Sequence, residues 1–169
     1  MDDMVVLVDE NDNETGAMEK LKAHIEGKLH RAFSVFISNS SKQLLIQKRA
    51  IDKYHSGGLW TNTCCSHPRP GEYLKDAVER RIQEEMGFRC LTKEIFSTIY
   101  TSELDNNIIE NEYDHIFIGQ YNGYLNPDPR EVEDWKWMSI EDLQTSLKQN
   151  PQKYTYWFKL LLEDVVSYL

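Results

Sequence analysis

The stretch Gly71–Gly87, GEYLKDAVERRIQEEMG, decides the fold. Leu74, Val78, Ile82 and Met86 recur every four residues, which predicts an amphipathic helix from about Leu74 to Met86 with Gly87 as its stop signal. The other faces carry Glu79, Arg80, Arg81, Gln83, Glu84 and Glu85. Arg80 with Glu84 and Arg81 with Glu85 have the spacing of helical ion pairs. Each such pair is worth only about 0.2–0.5 kcal/mol, and arginine stands on the less favourable N-terminal side. The alternative account is that one carboxylate on this helix holds a magnesium ion that bridges to a diphosphate.

Working outward, strands are predicted at Val5 to Val8, Ala32 to Ser38, Leu44 to Lys48, Trp60 to Cys65, Ile95 to Tyr100, Ile108 to Tyr121 and Asp134 to Met138. Further helices are predicted from Ile140 to Lys148, capped by Ser139, and after Pro151 from Tyr154 to Tyr168. Turn-rich segments fall at Asp9 to Asn13, Ser38 to Ser41, Ser56 to Gly58 and Asn122 to Pro129, and no internal repeat interrupts the chain. The order fits an α/β (α+β) single domain over residues 1–169, a mixed sheet sandwiched between helices.

The 169 residues, 40% of them hydrophobic, suffice for one substantial core. Apolar runs are too short to span a bilayer and no basic leader precedes one, so a cytoplasmic protein with no membrane partner is expected. Three cysteines, two of them adjacent at Cys64 and Cys65, make no disulfide framework and point to a reducing compartment. A net charge of −9 argues against a nucleic-acid partner, so any anionic ligand must meet a local basic cluster.

Trp60 to Pro68 crowds a tryptophan, two thiols and an imidazole into nine residues. If extended, it sends Cys65 and His67 to one face and Cys64 to the other. Two accounts fit: small buried hydrophobes with a satisfied core histidine, or a functional surface. On the strand at Ile108 to Phe117, period two puts Glu110, Glu112 and Asp114 on one side among apolar neighbours. Adjacent carboxylates repel, so the strand is either a solvent-facing edge or a ligand to a cation. His24 and His30, flanking a predicted helix end, and His67 complete a mixed nitrogen and carboxylate set that suits a borderline divalent metal. His55 lies in a turn-like Tyr-His-Ser-Gly-Gly stretch and His115 on the strand face opposite Glu112, and both are left out of the expected site.

The run from Gly71 to Gly87 resembles the Nudix box and ends with its arginine, spacer and paired glutamates; the box-like segment covers about residues 66–88. It departs from the box at Arg81, where the pattern has glutamate, and at Ser66, where it has an early glycine. In Nudix hydrolases that glutamate helps hold the metal that activates water. Arginine there removes a ligand and installs a phosphate-binding cation. The box, together with Thr61 to Pro68 before it and Glu110-Asn111-Glu112 after it, resembles type I isopentenyl diphosphate isomerases. Leu29 to Ser34 and Gln47, Lys48, Arg49, Ala50 and Lys53 extend the likeness, which runs from Val5 to about Trp157.

The resemblance implies a Nudix-type fold and the metal-assisted interconversion of isopentenyl and dimethylallyl diphosphate in isoprenoid biosynthesis. It implies Cys65 and Glu112 as the acid/base pair, with Tyr100 assisting transfer and Trp157 facing a developing cation; because a bound cation raises the acidity of a carboxyl group, Glu112 is expected to be the proton donor and Cys65 to take the second proton, in a reversible reaction. It carries over Lys20, with Lys22 as its rival, Arg49, Lys53 and Arg81 as diphosphate contacts. Of these, the arginine forks suit phosphate best. His24, His30, His67, Glu110 and Glu112 are the implied cage for one Mn2+, Zn2+ or Co2+ ion, and Glu85 the implied ligand for a substrate-bridging Mg2+. A monomer or weak homodimer acting on a small diphosphate follows. The rival expectations are a Nudix diphosphate hydrolase, disfavoured by Arg81, and a non-catalytic ligand sensor of the same fold.

Overall fold

The computed structural model describes residues 3–169. In chain order the elements are β1 (Met4–Val8), β2 (Glu14–Glu19), α1 (Lys20–Ile25), β3 (His30–Ser38), β4 (Gln43–Arg49), β5 (Trp60–Thr61) and β6 (Cys64–Ser66). They continue with α2 (Leu74–Met86), β7 (Thr92–Glu103), β8 (Ile109–Gln120), β9 (Val132–Ser139), α3 (Ile140–Gln149) and α4 (Tyr156–Val166). The axis of the sheet is β3, which runs parallel to β8 from His30 beside Glu112 to Ser38 beside Gln120. On its far side β8 pairs antiparallel with β7, and β3 also meets β1, β6 and β4, with β9 and β5 beyond β4.

Alternation along the strands divides the core in two. Phe33, Val35, Ile37 and Leu45 point to one face and pack with Val78, Ile82 and Met86 of α2. Phe36, Leu44 and Ile46 point to the other and pack with Leu143 of α3 and Phe158, Leu161 and Leu162 of α4. α2 ends where its apolar stripe ends, because Gly87 takes a left-handed φ of 75° and its N–H caps the Gln83 carbonyl at 3.1 Å. Glycine is required twice over: a Cβ here would stand 2.3 Å from the Asn126 carbonyl oxygen. None of the helices among the described residues is long and apolar enough to cross a membrane.

Two expectations are corrected. Residues Trp60 to Cys65 are not one strand: β5 and β6 are separated at Asn62 and Thr63, whose side chains turn inward. Asn62 Nδ2 donates to the Val35 and Cys64 carbonyls at 3.1 and 2.9 Å, and Thr63 Oγ1 donates to the Leu45 carbonyl at 2.7 Å. These side chains take over backbone partners that a continuous ladder would use. The strand β2 was not expected, since Glu14 to Glu19 lacks apolar alternation. It exists as an exposed edge, paired with β1. The acidic strand β8, by contrast, is no edge: it is paired on both sides, which removes the solvent-facing account of Glu110, Glu112 and Asp114.

Candidate active site

The register of three strands assembles the site. Glu112 lies beside His30 on β3 and opposite Tyr100 on β7, and period two brings Glu110 to the same face. From β6, Cys65 and the following His67 reach that end of the sheet, while Cys64 is fully buried in the α2 core. Glu19 caps α1 by accepting from the Leu21 and Lys22 amides at 2.9 and 2.7 Å, and the last turn of α1 presents His24. Glu110, Glu112, Tyr100, Cys65 and His67 line a cavity of about 340 Å³, which also takes in Lys20, Arg49, Lys53, Arg81, Glu85 and Trp157, while His24 and His30 are fully buried against Glu112.

One ligand atom each from His24, His30, His67 and Glu112 lies within 4.8 Å of all the others. The tautomers follow from hydrogen bonding. His24 Nδ1 sits 2.7 Å from the Lys20 carbonyl and His30 Nδ1 2.8 Å from the Lys28 carbonyl. A carbonyl only accepts, so both protons are on Nδ1 and both Nε2 atoms carry lone pairs. His30 Nε2 faces His67 Nε2 at 3.2 Å, and His67 Nε2 is 3.0 Å from Glu112 Oε1. His24 Nε2 is buried with no hydrogen-bond partner, 4.0 Å from Glu112 Oε1. A buried lone pair left unpaired is costly. A divalent cation at the meeting point would satisfy it, and the three-nitrogen, carboxylate donor set fits a borderline metal.

The protonation states agree. Burial, then the neighbouring His30, holds the His24 imidazolium below its ordinary range, and burial drives His67 down to about 3. Both rings are therefore in the neutral form that a metal takes. Burial would raise Glu112, but the imidazoles of His30 and His67 beside it outweigh that and hold the carboxyl well below its usual value. Glu110 goes the other way, raised by burial and by the Glu112 charge beside it. The Tyr100 hydroxyl joins the two, 2.7 Å from Glu110 Oε2 and 2.8 Å from Glu112 Oε2. Across the cavity, burial pushes the Cys65 thiol well up.

At the basic end, Arg81 pairs with Glu85 and reaches Glu84 at 2.8 Å, and Lys53 pairs with Glu131. Gln47 Nε2 donates to the other Glu85 oxygen at 3.0 Å. Both i,i+4 pairs expected on α2 form, Arg80 reaching Glu84 at 3.2 Å. Lys20 lines the cavity, whereas Lys22 is exposed and 3.8 Å from Glu26. Trp157 is buried, with the Arg49 guanidinium 5.4 Å over its ring.

Two residues went unread in the sequence and one expectation changes. Asn62 is a buried hub: its Oδ1 accepts from Trp157 Nε1 at 3.1 Å and from Cys65 Sγ at 3.5 Å, so it sets both. Its signal was a lone amide between threonines in a buried run. His55, set aside as a turn residue, is 2% exposed at the site, with Nε2 3.2 Å from Glu110 Oε1. Glu110 accordingly groups with His24 and His55 rather than inside the tighter set of four. His115 lies elsewhere, held between Glu94 at 2.6 Å and Asp12 at 3.0 Å.

A family model described as the NUDIX domain matches residues 28–158. Isopentenyl-diphosphate Delta-isomerase 2 of Aromatoleum aromaticum is 47% identical, with 99% of this chain and 88% of the relative covered. The Isopentenyl-diphosphate Delta-isomerase of Pectobacterium atrosepticum is 48% identical, over 97% and 92%. Among solved structures, a Deinococcus radiodurans protein superposes with a TM-score of 0.79 at 17% identity, covering 95% of this chain and 98% of that one. The MutT protein of Methanosarcina mazei superposes at 0.67 with 20% identity, over 80% and 91%. At that identity the structures speak for the fold alone. With the NUDIX model spanning most of its length and near-full-length relatives at almost half identity, the chain belongs to the NUDIX domain family, within its isopentenyl-diphosphate Delta-isomerases.

Proposed function

We propose that this chain is an isopentenyl-diphosphate Delta-isomerase, moving a double bond one carbon along a five-carbon diphosphate. The observation that carries the proposal is one cavity that joins Cys65, Glu112 and His67, the cavity-facing member of the imidazole cage, to the cations Lys20, Arg49, Lys53 and Arg81. A terminal alkene is a very weak base, so the site must position an acid closely, exclude water and steady a tertiary carbocation.

In the forward reaction the π pair takes a proton at the terminal carbon, charge develops on the branched carbon, and loss of a proton from the next carbon re-forms the double bond. Cys65 and Glu112 are the exchanging pair. The reaction is reversible, so each is donor in one direction and acceptor in the other. Burial favours the protonated form of the Cys65 thiol, which suits it to donate in the forward direction with Glu112 accepting. Tyr100 gives the carboxyl pair a place to share a proton. Trp157 offers a ring face to the carbocation, a contact worth about 0.5–2 kcal/mol.

His24, His30, His67 and Glu112 would hold the transition-metal ion, with Glu110 at its edge. A bound divalent cation supplies charge that steadies the Glu112 carboxylate and sets its acidity. The arginine forks and Lys53 hold the diphosphate, and Glu85 is the residue for a bridging Mg2+. Arg81 occupies the box position at which hydrolases place a glutamate, so water activation lacks its ligand.

Isopentenyl diphosphate is expected to yield dimethylallyl diphosphate with the purified chain, and activity to fall to background after chelation and return on adding Mn2+ or Zn2+ with Mg2+. Phosphate release from nucleoside diphosphate derivatives, with no isomer formed, would replace this reading by hydrolysis.

A further inference from the structure

His24, His55 and Glu110 bring one ligand atom each within 4.8 Å of one another, which leaves a choice between a second metal seat and a support for Glu110. His24 decides it. With its Nδ1 proton given to the Lys20 carbonyl, the ring keeps one lone pair, on Nε2, and one lone pair serves one ion. That atom belongs equally to the tighter group with His30, His67 and Glu112. A second seat would retain only His55 and Glu110, and the Arg49 guanidinium, donating to the His55 carbonyl at 3.1 Å, stands against another cation there.

We infer that His55 is a positioning residue for Glu110, its Nε2–H donating to Glu110 Oε1 while the Tyr100 hydroxyl holds Oε2. This rests on the isomerase reading above, in which Glu110 borders the metal. Fixing both oxygens leaves the carboxylate's remaining lone pairs in one orientation toward the ion, the arrangement by which outer partners tune a metal site.

The mount for the ring is built for the task. Ser56 Oγ lies 3.0 Å from His55 Nδ1, and a hydroxyl donating there keeps the ring proton on Nε2. Ser56 takes a left-handed φ of 53° and its amide donates to Asp105 Oδ1 at 3.1 Å. Gly57 follows where a Cβ would stand 2.2 Å from the Ile51 carbonyl oxygen, so the loop closes only with glycine there. Trp157 meets the imidazole edge-on, with centroids 5.7 Å apart.

The test compares His55→Met, which fills the space without a donor, with His55→Gln, whose amide restores one. On the full chain, Mn2+ affinity is read by competition with a chelating dye, alongside the metal-free melting midpoint and kcat and KM for isopentenyl diphosphate. His55→Met should weaken Mn2+ binding by about 10- to 100-fold. KM should stay near wild type because Arg49 is held by the backbone carbonyl of residue 55, which both variants keep, and His55→Gln should recover most of the affinity. If His55→Met binds Mn2+ as tightly as wild type, or both variants lose affinity equally, the hydrogen bond to Glu110 is not what matters and the inference fails alone. If the wild-type chain itself neither binds the ion nor forms product, the isomerase reading fails and takes this inference with it.

Discussion

Cys65→Ala is expected to lower kcat by about two to four orders of magnitude, the usual weight of a positioned proton-transfer group, while KM for isopentenyl diphosphate stays near wild type. The split follows from the layout. Cys65 stands at the imidazole end of the cavity, and the diphosphate contacts Arg49, Lys53 and Arg81 owe it no hydrogen bond. Nor should its removal loosen the scaffold, because Asn62 keeps its own bond to Trp157 at 3.1 Å. Steady-state kinetics with a substrate-competition binding measurement check this. A kcat within tenfold of wild type would remove Cys65 from the chemistry.

Glu112→Gln should cost more, because two roles are lost together. An amide neither ionises nor carries an exchangeable acidic proton, so turnover is expected to fall by about 10⁴-fold, the upper end for acid/base groups. The cage also loses its one carboxylate among three imidazoles, and an amide oxygen is a weaker ligand for such an ion. Metal content after gel filtration should fall along with the rate, whereas loading with excess Mn2+ should restore occupancy and not turnover. Recovery of the rate with occupancy would assign Glu112 to metal binding alone and leave the proton to another group.

Much of this site was legible because it lies on periodic elements. The four-residue repeat through Leu74, Val78, Ile82 and Met86 fixes which face of α2 is buried, and with it that Arg81 and Glu85 reach the cavity. Period two on β8 places Glu110 and Glu112 together, and the same logic separates Cys65 from Cys64. What escaped lies where periodicity ends. His55 sits in a ten-residue connection, 50–59, between β4 and β5, and only its closure through Gly57 and Ser56 brings the ring to Glu110. Asn62 looked like part of a strand because its neighbours are strand formers, yet its buried amide breaks that strand and joins Cys65 to Trp157. The choice between Lys20 and Lys22 hung on a helix of six residues, too short for its exposed face to be read from sequence. Whether the acidic strand was an edge depended on β3 pairing in parallel with residues 82 positions later, His30 beside Glu112, a contact no local pattern announces.

The central claim is that this cavity adds a proton to one carbon of the alkene and removes one from another. Incubating the chain with isopentenyl diphosphate in deuterated water, with Mg2+ and Mn2+ present and a chelated control, tests it most directly by mass spectrometry. The account predicts deuterium in dimethylallyl diphosphate, acquired with turnover and absent after chelation. Product formed without label would contradict exchange of protons through Cys65 and Glu112.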